Sequence, residues 1–218
     1  PYSMDRDPIL PVRYILDTGS ADGVILSSIE PQDPRVKLLI ERNLPFATHG
    51  RTAFGVAHPF HDFDNEAYAY EAVRRLAERG RRRIAILEPS PRFSFQHHMH
   101  AGYLQGLRDF GCEAIPLRDA TLHDPLAVVH RAAANLLREH PETDGIICGS
   151  SAGAIAISSA LTEAGRQIGR DLDMVSKQPA DLMRFLRPDI IAIFEDIRLA
   201  GRELAKAVLG RIDGVAPE

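Results

Sequence analysis

The chain has 218 residues, of which 44% are hydrophobic and 26% are charged, and its formal net charge is −4. This composition predicts a soluble globular protein and excludes long disordered chains and membrane-spanning proteins, because no apolar run approaches the length of a bilayer span. The negative charge gives no general attraction to nucleic acid, and Cys148, in an apolar run, predicts a buried free thiol that fits a cytoplasmic protein.

Short apolar runs alternate with amphipathic segments along the chain. After an irregular opening, DGVILSS at 22–28 predicts a buried strand, and PRVKLLIERN at 34–43 predicts a helix with proline in its first turn. Three later helices are predicted to stop at Gly80, Gly111 and Gly165. We predict further strands in LPFATHGRT and near 84–87, 114–117, 144–151, 173–176 and 189–195, and further helices near 97–110, 125–139, 152–164 and 198–209.

Repeated βα units with nearly continuous apolar strands indicate parallel sheets covered by helices, in a doubly wound α/β architecture. Such sheets bind ligands at the carboxyl ends of their strands. The side chains predicted there are polar, basic or aromatic: His49, Arg51, Asp64, Asn65, Phe93, Phe95, Ser150, Ser151, Lys177 and Gln178. Aromatic rings suit sugar faces and polar groups suit hydroxyls, so we predict a small sugar-like ligand, neutral or acidic, with Lys177 positioned to pair with a ligand carboxylate.

The pair Asp64 and Asn65 precedes the helix that ends at Gly80 and has two interpretations. Either side chain can cap the helix by accepting hydrogen bonds from unpaired N–H groups of its first turn. Alternatively, the pair also marks a crossover of the chain beside a ligand cleft.

Two stretches suggest other chemistry. The histidines in FQHHMH, His97, His98 and His100, include an i, i+3 pair, but no third ligand is indicated, so we expect no metal and assign His98 to the ligand cleft. GSSAG at 149–153 matches the G-x-S-x-G nucleophile elbow, but no histidine follows Ser151, so a hydrolase is disfavoured. No phosphate-binding glycine motif occurs, and we expect no cofactor and no enzyme.

Five stretches, in order, resemble the effector-binding domain of the LacI/GalR family of bacterial transcriptional regulators, which has a periplasmic-binding-protein-like fold. They are DGVILSS, DNEAYAYEAVRRLAERGRRRIAIL, HAGYLQGLRDFG, TDGIICGSSAGAIAISSALTEAGRQIGRDLDMV and FLRPDIIAIFEDIRLAGRELAKAVLGRIDG. The resemblance implies an incomplete N-terminal subdomain, 1–61 and 195–218, a C-terminal subdomain, 62–194, and a ligand cleft between them. It places crossovers at Asp64, Asn65 and Glu195.

The resemblance also implies a sugar-like effector, a homodimer and operator DNA bound through an N-terminal helix-turn-helix. That segment is missing from the matched region, so we expect a fragment of a longer regulator. At the effector site, Met99 stands where the family usually has a sugar-binding Arg, and Gln178 where it often has Asp. The family's ligand contacts therefore cannot be transferred directly.

A periplasmic sugar-binding protein of a transporter is the alternative, and an α/β hydrolase-like enzyme is a weaker one. For the dimer, we consider two apolar stripes: Val36, Leu39 and Ile40 in the helix at 34–43, and Leu199, Leu204 and Val208 in the last helix. The stripes either form the dimer interface or cover their own sheet.

Overall fold

The computed structural model describes residues 7–180 and 182–216, and its elements alternate as the sequence predicts. In chain order they are α1 (Ile9–Thr18), β1 (Val24–Leu26), α2 (Pro34–Glu41), β2 (Phe46–His49), β3 (Phe60–His61), α3 (Asn65–Glu78), β4 (Arg83–Leu87), α4 (Ser94–Phe110), β5 (Glu113–Ile115), α5 (Leu126–Glu139), β6 (Gly145–Cys148), α6 (Ser151–Glu163), β7 (Asp173–Gln178), α7 (Leu182–Leu186), β8 (Ile191–Phe194) and α8 (Ile197–Ile212). Gly80, Gly111 and Gly165 follow α3, α4 and α6 with positive φ, which confirms them as helix stops.

The chain divides into two compact units. The first contains the described residues up to Phe63, the segment Arg92–Ser94 and the residues from Ile197 onward, and the second contains Asp64–Pro91 and Phe95–Asp196. The first unit has a three-stranded parallel sheet in the order β1-β2-β3. The second has a five-stranded parallel sheet in the order β5-β4-β6-β7-β8. The predicted parallel α/β architecture is therefore confirmed.

The core of the second unit surrounds the middle strands of its sheet. Strands β4, β6 and β7 occupy the middle of the sheet, and Ile84, Ile146 and Val175 on them are fully buried. Strands without a solvent-exposed face need apolar residues at consecutive positions; β4 and β6 have such runs, and β7 has Met174 and Val175. Because every pairing is parallel, the carboxyl ends of all five strands lie at the same edge of the sheet.

Four elements differ from the prediction. The opening predicted to be irregular contains α1, whose Pro11 lies in the first turn, where a missing N–H removes no helical hydrogen bond. The short elements β3 and α7 were not predicted. Strand β7 extends two residues further than expected, so that Lys177 and Gln178 are its last residues.

The apolar stripes considered for the dimer mostly cover their own unit. Val36 and Leu39 are fully buried in a core with Val12, Leu26 and Phe46. Leu204 and Val208 are buried in a cluster with Ala47 of β2. The interpretation of these four side chains as a dimer interface is therefore wrong, because each stripe fills the space against its own sheet. Ile40 is half-buried, and Leu199 remains exposed.

The glycine pattern in HAGYLQGLRDFG is explained by a close helix crossing in the second unit. A Cβ atom at Gly102 of α4 would lie 2.0 Å from the carbonyl oxygen of Glu66 in α3. A Cβ atom at Gly106, one turn later, would lie 2.9 Å from the Cβ of Val73. These two positions therefore let α3 and α4 pack with their backbones in contact.

We expect Gly102→Ala to destabilise the protein by about 2 kcal/mol or more, because the added methyl group meets backbone that cannot rotate away. Gly201→Ala in α8 is the matched control, since its added methyl group meets no atom of another element within 4 Å among the described residues. The control should be neutral or stabilising by up to about 1 kcal/mol. Thermal denaturation followed by circular dichroism measures both, and equal melting temperatures would contradict the close crossing.

Candidate functional site

The carboxyl edge of the five-stranded sheet gathers several of the predicted site residues. Lys177 and Gln178 end β7, and Glu195 directly follows β8. The β6–α6 connection brings Ser150 and Ser151 to the same edge, and α3 begins there with Asn65. We call Lys177, Asn65, Glu195 and Phe95 the Lys177 cluster.

The ammonium group of Lys177 organises this cluster. Its Nζ lies 3.1 Å from Oδ1 of Asn65 and 3.0 Å from Oε2 of Glu195. It also lies 5.8 Å from the ring centroid of Phe95, within the range of a cation–π interaction. The side chains of Lys177 and Glu195 are only 11% and 14% exposed. Both charges therefore have little contact with water, and each compensates the other.

The two residues at the start of α3 have separate roles. Asp64 caps the helix, since its Oδ1 accepts a hydrogen bond of 2.8 Å from the N–H of Ala67, and this confirms the capping interpretation for Asp64. Asn65 is buried instead and accepts from Lys177. One turn further, the Tyr68 hydroxyl donates to the carbonyl of Cys148, 2.8 Å away, and burial raises the pKa of this hydroxyl. These bonds fix the start of α3 against β6 and β7.

The Gly-Ser-Ser-Ala-Gly segment is explained by capping and packing. Ser150 caps α6 by accepting a hydrogen bond of 3.0 Å from the N–H of Gly153. The Ser151 hydroxyl donates to the carbonyl of Lys177, 3.5 Å away, so its hydrogen-bond partner here is a backbone oxygen and not an imidazole. A Cβ atom at Gly149 would lie 2.5 Å from Leu122, and one at Gly153 would lie 2.9 Å from the sulfur of Cys148. Close packing therefore accounts for both glycines.

Cys148 itself is a free, fully buried thiol, as predicted. Burial raises its pKa to about 12, because the thiolate would lose its hydration among apolar groups. At neutral pH this side chain is a small apolar packing group and is not a nucleophile.

Three residues expected to contact a ligand are buried: Phe93, Met99 and Gln178 are 1%, 0% and 3% exposed. Phe93 packs beneath the guanidinium of Arg92, and Met99 reaches the backbone of Gly149. In this structure these three side chains are part of the packed interior. Their assignment as ligand contacts stays a prediction; position in the sequence does not distinguish a residue that faces solvent from one that faces the core.

The histidines at the start of α4 lie beside a carboxylate. Nδ1 of His100 lies 2.8 Å from Glu88, which also accepts a hydrogen bond of 3.2 Å from Gln96. Nδ1 of His98 is buried and has no hydrogen-bond partner among the described residues. Within 7–180 and 182–216, no group of three or more His, Cys, Asp and Glu side chains is arranged to hold a metal ion.

Arg51 lies in the first unit, near the end of β2. Its Nε donates to Asp62 over 2.9 Å, and its side chain is 48% exposed. The ring of His49 stacks on that of His61 nearby, with 6.4 Å between the centroids. The first unit therefore also presents polar groups after a strand end.

Glu195 is the group whose chemical role sequence reasoning missed, since it was assigned only to a crossover. The available signal was its position: an acidic residue directly after an apolar strand lies at the carboxyl edge, where Lys177 was already placed. The sequence did not indicate the hydrogen bond of Tyr68, because a single tyrosine on the apolar face of a helix is typical of a core residue.

Known families and structures resemble this chain. A family model described as a periplasmic binding protein-like domain matches residues 73–218. The HTH-type transcriptional regulator AglR of Rhizobium meliloti (strain 1021) is 26% identical over 219 residues, which cover 96% of this chain and 60% of AglR. CelR of Thermobifida fusca, also an HTH-type transcriptional regulator, is 28% identical over 204 residues, covering 90% of this chain and 58% of CelR. The chain thus spans about three-fifths of these curated relatives.

Two solved structures extend the comparison. A regulatory protein of the LacI family from Chloroflexus aggregans is 29% identical, with a TM-score of 0.83, and the match covers 100% of this chain and 78% of that one. A complex of the transcriptional regulator CelR with cellobiose is 25% identical, with a TM-score of 0.84, covering 98% of this chain and 66% of that one. The described helices include none that is long and apolar enough to cross a membrane.

The Lys177–Glu195 ion pair should show strong energetic coupling. We expect Lys177→Met and Glu195→Gln each to destabilise the protein by about 1–3 kcal/mol, because each removes the opposite charge that lies 3.0 Å from a poorly hydrated one. The double variant should recover at least about 1 kcal/mol of the summed loss. The exposed pair Lys206–Glu203, 2.9 Å apart on α8, is the matched control and should couple by less than about 0.5 kcal/mol. Additive losses at Lys177 and Glu195 in chemical denaturation would contradict the pairing.

Proposed function

This chain belongs to the family of periplasmic binding protein-like domains of LacI-type regulators, and we propose that it senses a small sugar-like effector and passes that signal to DNA binding. The observation that carries the proposal is the Lys177 cluster. It combines hydrogen-bond donors, acceptors and an aromatic ring at the sheet edge where α/β proteins bind ligands.

The chemistry of the cluster suits a polyhydroxylated molecule. A sugar hydroxyl both donates and accepts, so it can replace water beside a carboxylate and beside an ammonium group alike. The ring of Phe95 offers an apolar face to the C–H groups of a sugar ring. One relative in this fold, CelR, has been solved with cellobiose, and we propose a ligand of the same broad class here.

The proposed role requires ligand binding and a change of conformation, but no covalent bond is made or broken. We therefore propose a non-enzymatic domain that needs no cofactor, as expected from the sequence. Ser151, the one candidate nucleophile, is held by a backbone carbonyl and fits this role as part of the β6–α6 connection.

We propose that the full-length regulator is a homodimer that reads two operator half-sites, since a symmetric pair of DNA-binding segments fits a symmetric operator. Within the described chain, α8 supplies exposed apolar side chains for such an interface. Leu209 and Ile212 are 60% and 41% exposed at its end. A cytoplasmic location follows from this role, because the operator is there.

We expect calorimetric titration with a panel of mono- and disaccharides to find at least one binding sugar. Phe95→Ala should weaken that binding about tenfold, because the sugar loses its aromatic platform. Phe185→Ala is the matched control, since Phe185 on α7 is 79% exposed and is no member of the cluster. A protein that binds no sugar in the panel would refute the proposed effector class.

We expect the full-length regulator to sediment as a dimer at micromolar concentration and its operator affinity to change when sugar is added. Leu209→Asp should weaken both dimerisation and operator binding by at least about tenfold, because it places a charge in an apolar contact. Ser159→Asp, at an exposed position of α6, should leave both unchanged. Tight operator binding by a monomer would contradict this part of the proposal.

A further inference from the structure

A cavity of about 190 Å³ lies at the amino edge of the three-stranded sheet, and every residue that lines it belongs to the first unit. Its wall includes Phe46, the first residue of β2, and Pro59, which directly precedes β3. The last turn of α8 contributes Arg211. Because β2 and β3 are parallel, their amino ends lie together at the edge opposite to their carboxyl ends. We call this space the Arg211 cavity.

Most of the residues that line the Arg211 cavity are apolar, and two of them form an aromatic stack. The ring of His58 stacks on that of Phe46, with 5.6 Å between the centroids and 27° between the planes. The imidazole is held in place, since Nε2 lies 3.2 Å from Oγ1 of Thr48 and Nδ1 lies 3.1 Å from the carbonyl oxygen of Val56. The space suits a molecule with a single ring, because an apolar cavity of about 150 Å³ holds benzene.

Arg211 gives the cavity a positive charge. Its Nη1 donates to the carbonyl oxygen of Val215, 2.6 Å away, and it forms no ion pair with a carboxylate among residues 7–180 and 182–216. The other polar residues that line the cavity are Asn43 and His58, and no aspartate or glutamate is among the lining residues. A guanidinium group has five N–H donors, so one carbonyl oxygen leaves others for a ligand. An anion in the cavity can therefore gain charge-assisted hydrogen bonds.

The charged side chains nearest to the cavity do not cancel this charge. Lys37 and Glu41 line a neighbouring groove along α2, and they carry opposite charges. Asp213 follows Arg211 by two residues and is exposed, so water and salt screen its carboxylate. The cavity therefore combines an apolar wall with one cation.

We propose that the Arg211 cavity binds a small carboxylate with an apolar body of about one ring. The carboxylate pairs with the guanidinium of Arg211, and the body packs against the wall that includes Phe46 and His58. Such a ligand contacts the end of α2, the start of β2 and the end of α8 at once, so it gives the first unit a ligand of its own. This site goes beyond the proposed effector sensing and does not depend on it.

The experiment compares benzoate with benzyl alcohol, which is uncharged and of nearly the same size. Each compound is titrated into the isotope-labelled protein at neutral pH and low salt, and the backbone amide signals are followed by NMR. We expect benzoate to shift the signals of Phe46, His58 and Arg211 saturably, with a Kd of about 1 mM or tighter. Benzyl alcohol should bind at least about tenfold more weakly, because it cannot pair with the guanidinium group.

Two variants test the charge and the space separately. Arg211→Met should weaken benzoate binding at least about tenfold and leave benzyl alcohol binding unchanged, so that the preference for the anion disappears. Ala57→Leu enlarges a residue that lines the cavity and should weaken the binding of both compounds. Arg202→Met is the matched control, because it removes the same charge from an exposed position of α8 outside the cavity. The control should bind benzoate as the unaltered protein does.

Three results would overturn the site: no saturable shift at the cavity, equal affinities for benzoate and benzyl alcohol, or unchanged benzoate affinity in the folded Arg211→Met variant. These results leave effector sensing intact, because the Lys177 cluster belongs to the second unit. Benzoate shifts confined to the Lys177 cluster would also overturn the proposal, since they would place the carboxylate in the candidate effector site.

Discussion

The candidate site depends on the groups that compensate the charge of one nearly buried ammonium group, that of Lys177. A charge with so little access to water is stable only beside groups that replace its hydration, and Lys177 finds them in Asn65 and Glu195. These partners lie far apart in the sequence, at the start of α3 and after β8. Three elements therefore meet around one side chain at the edge of the sheet.

That arrangement depends in turn on the parallel sheet. Parallel pairing brings the carboxyl ends of the neighbouring strands β6, β7 and β8 to the same edge. The close crossing of α3 and α4 at Gly102, together with the Tyr68 hydrogen bond, sets where the first residue of α3 lies. Packing thus places the polar groups, and the polar groups then determine what the edge can bind.

The sequence predicted most of the fold because apolar periodicity and glycine stops are local signals. It predicted Asp64 as a cap and Lys177 at the sheet edge for the same reason. It could not show that Phe93 and Met99 are buried, since burial depends on which face of an element meets another element. Nor could it show that Glu195 neutralises Lys177, because that contact joins two strands through a register that only tertiary packing sets.

A crystal structure with the tightest-binding sugar shows whether the Lys177 cluster holds the effector. We expect sugar hydroxyls within about 3.2 Å of Nζ of Lys177 and of the Glu195 carboxylate. We also expect the face of a sugar ring to lie against Phe95. A sugar bound at full occupancy with no contact to these three residues would place the effector elsewhere.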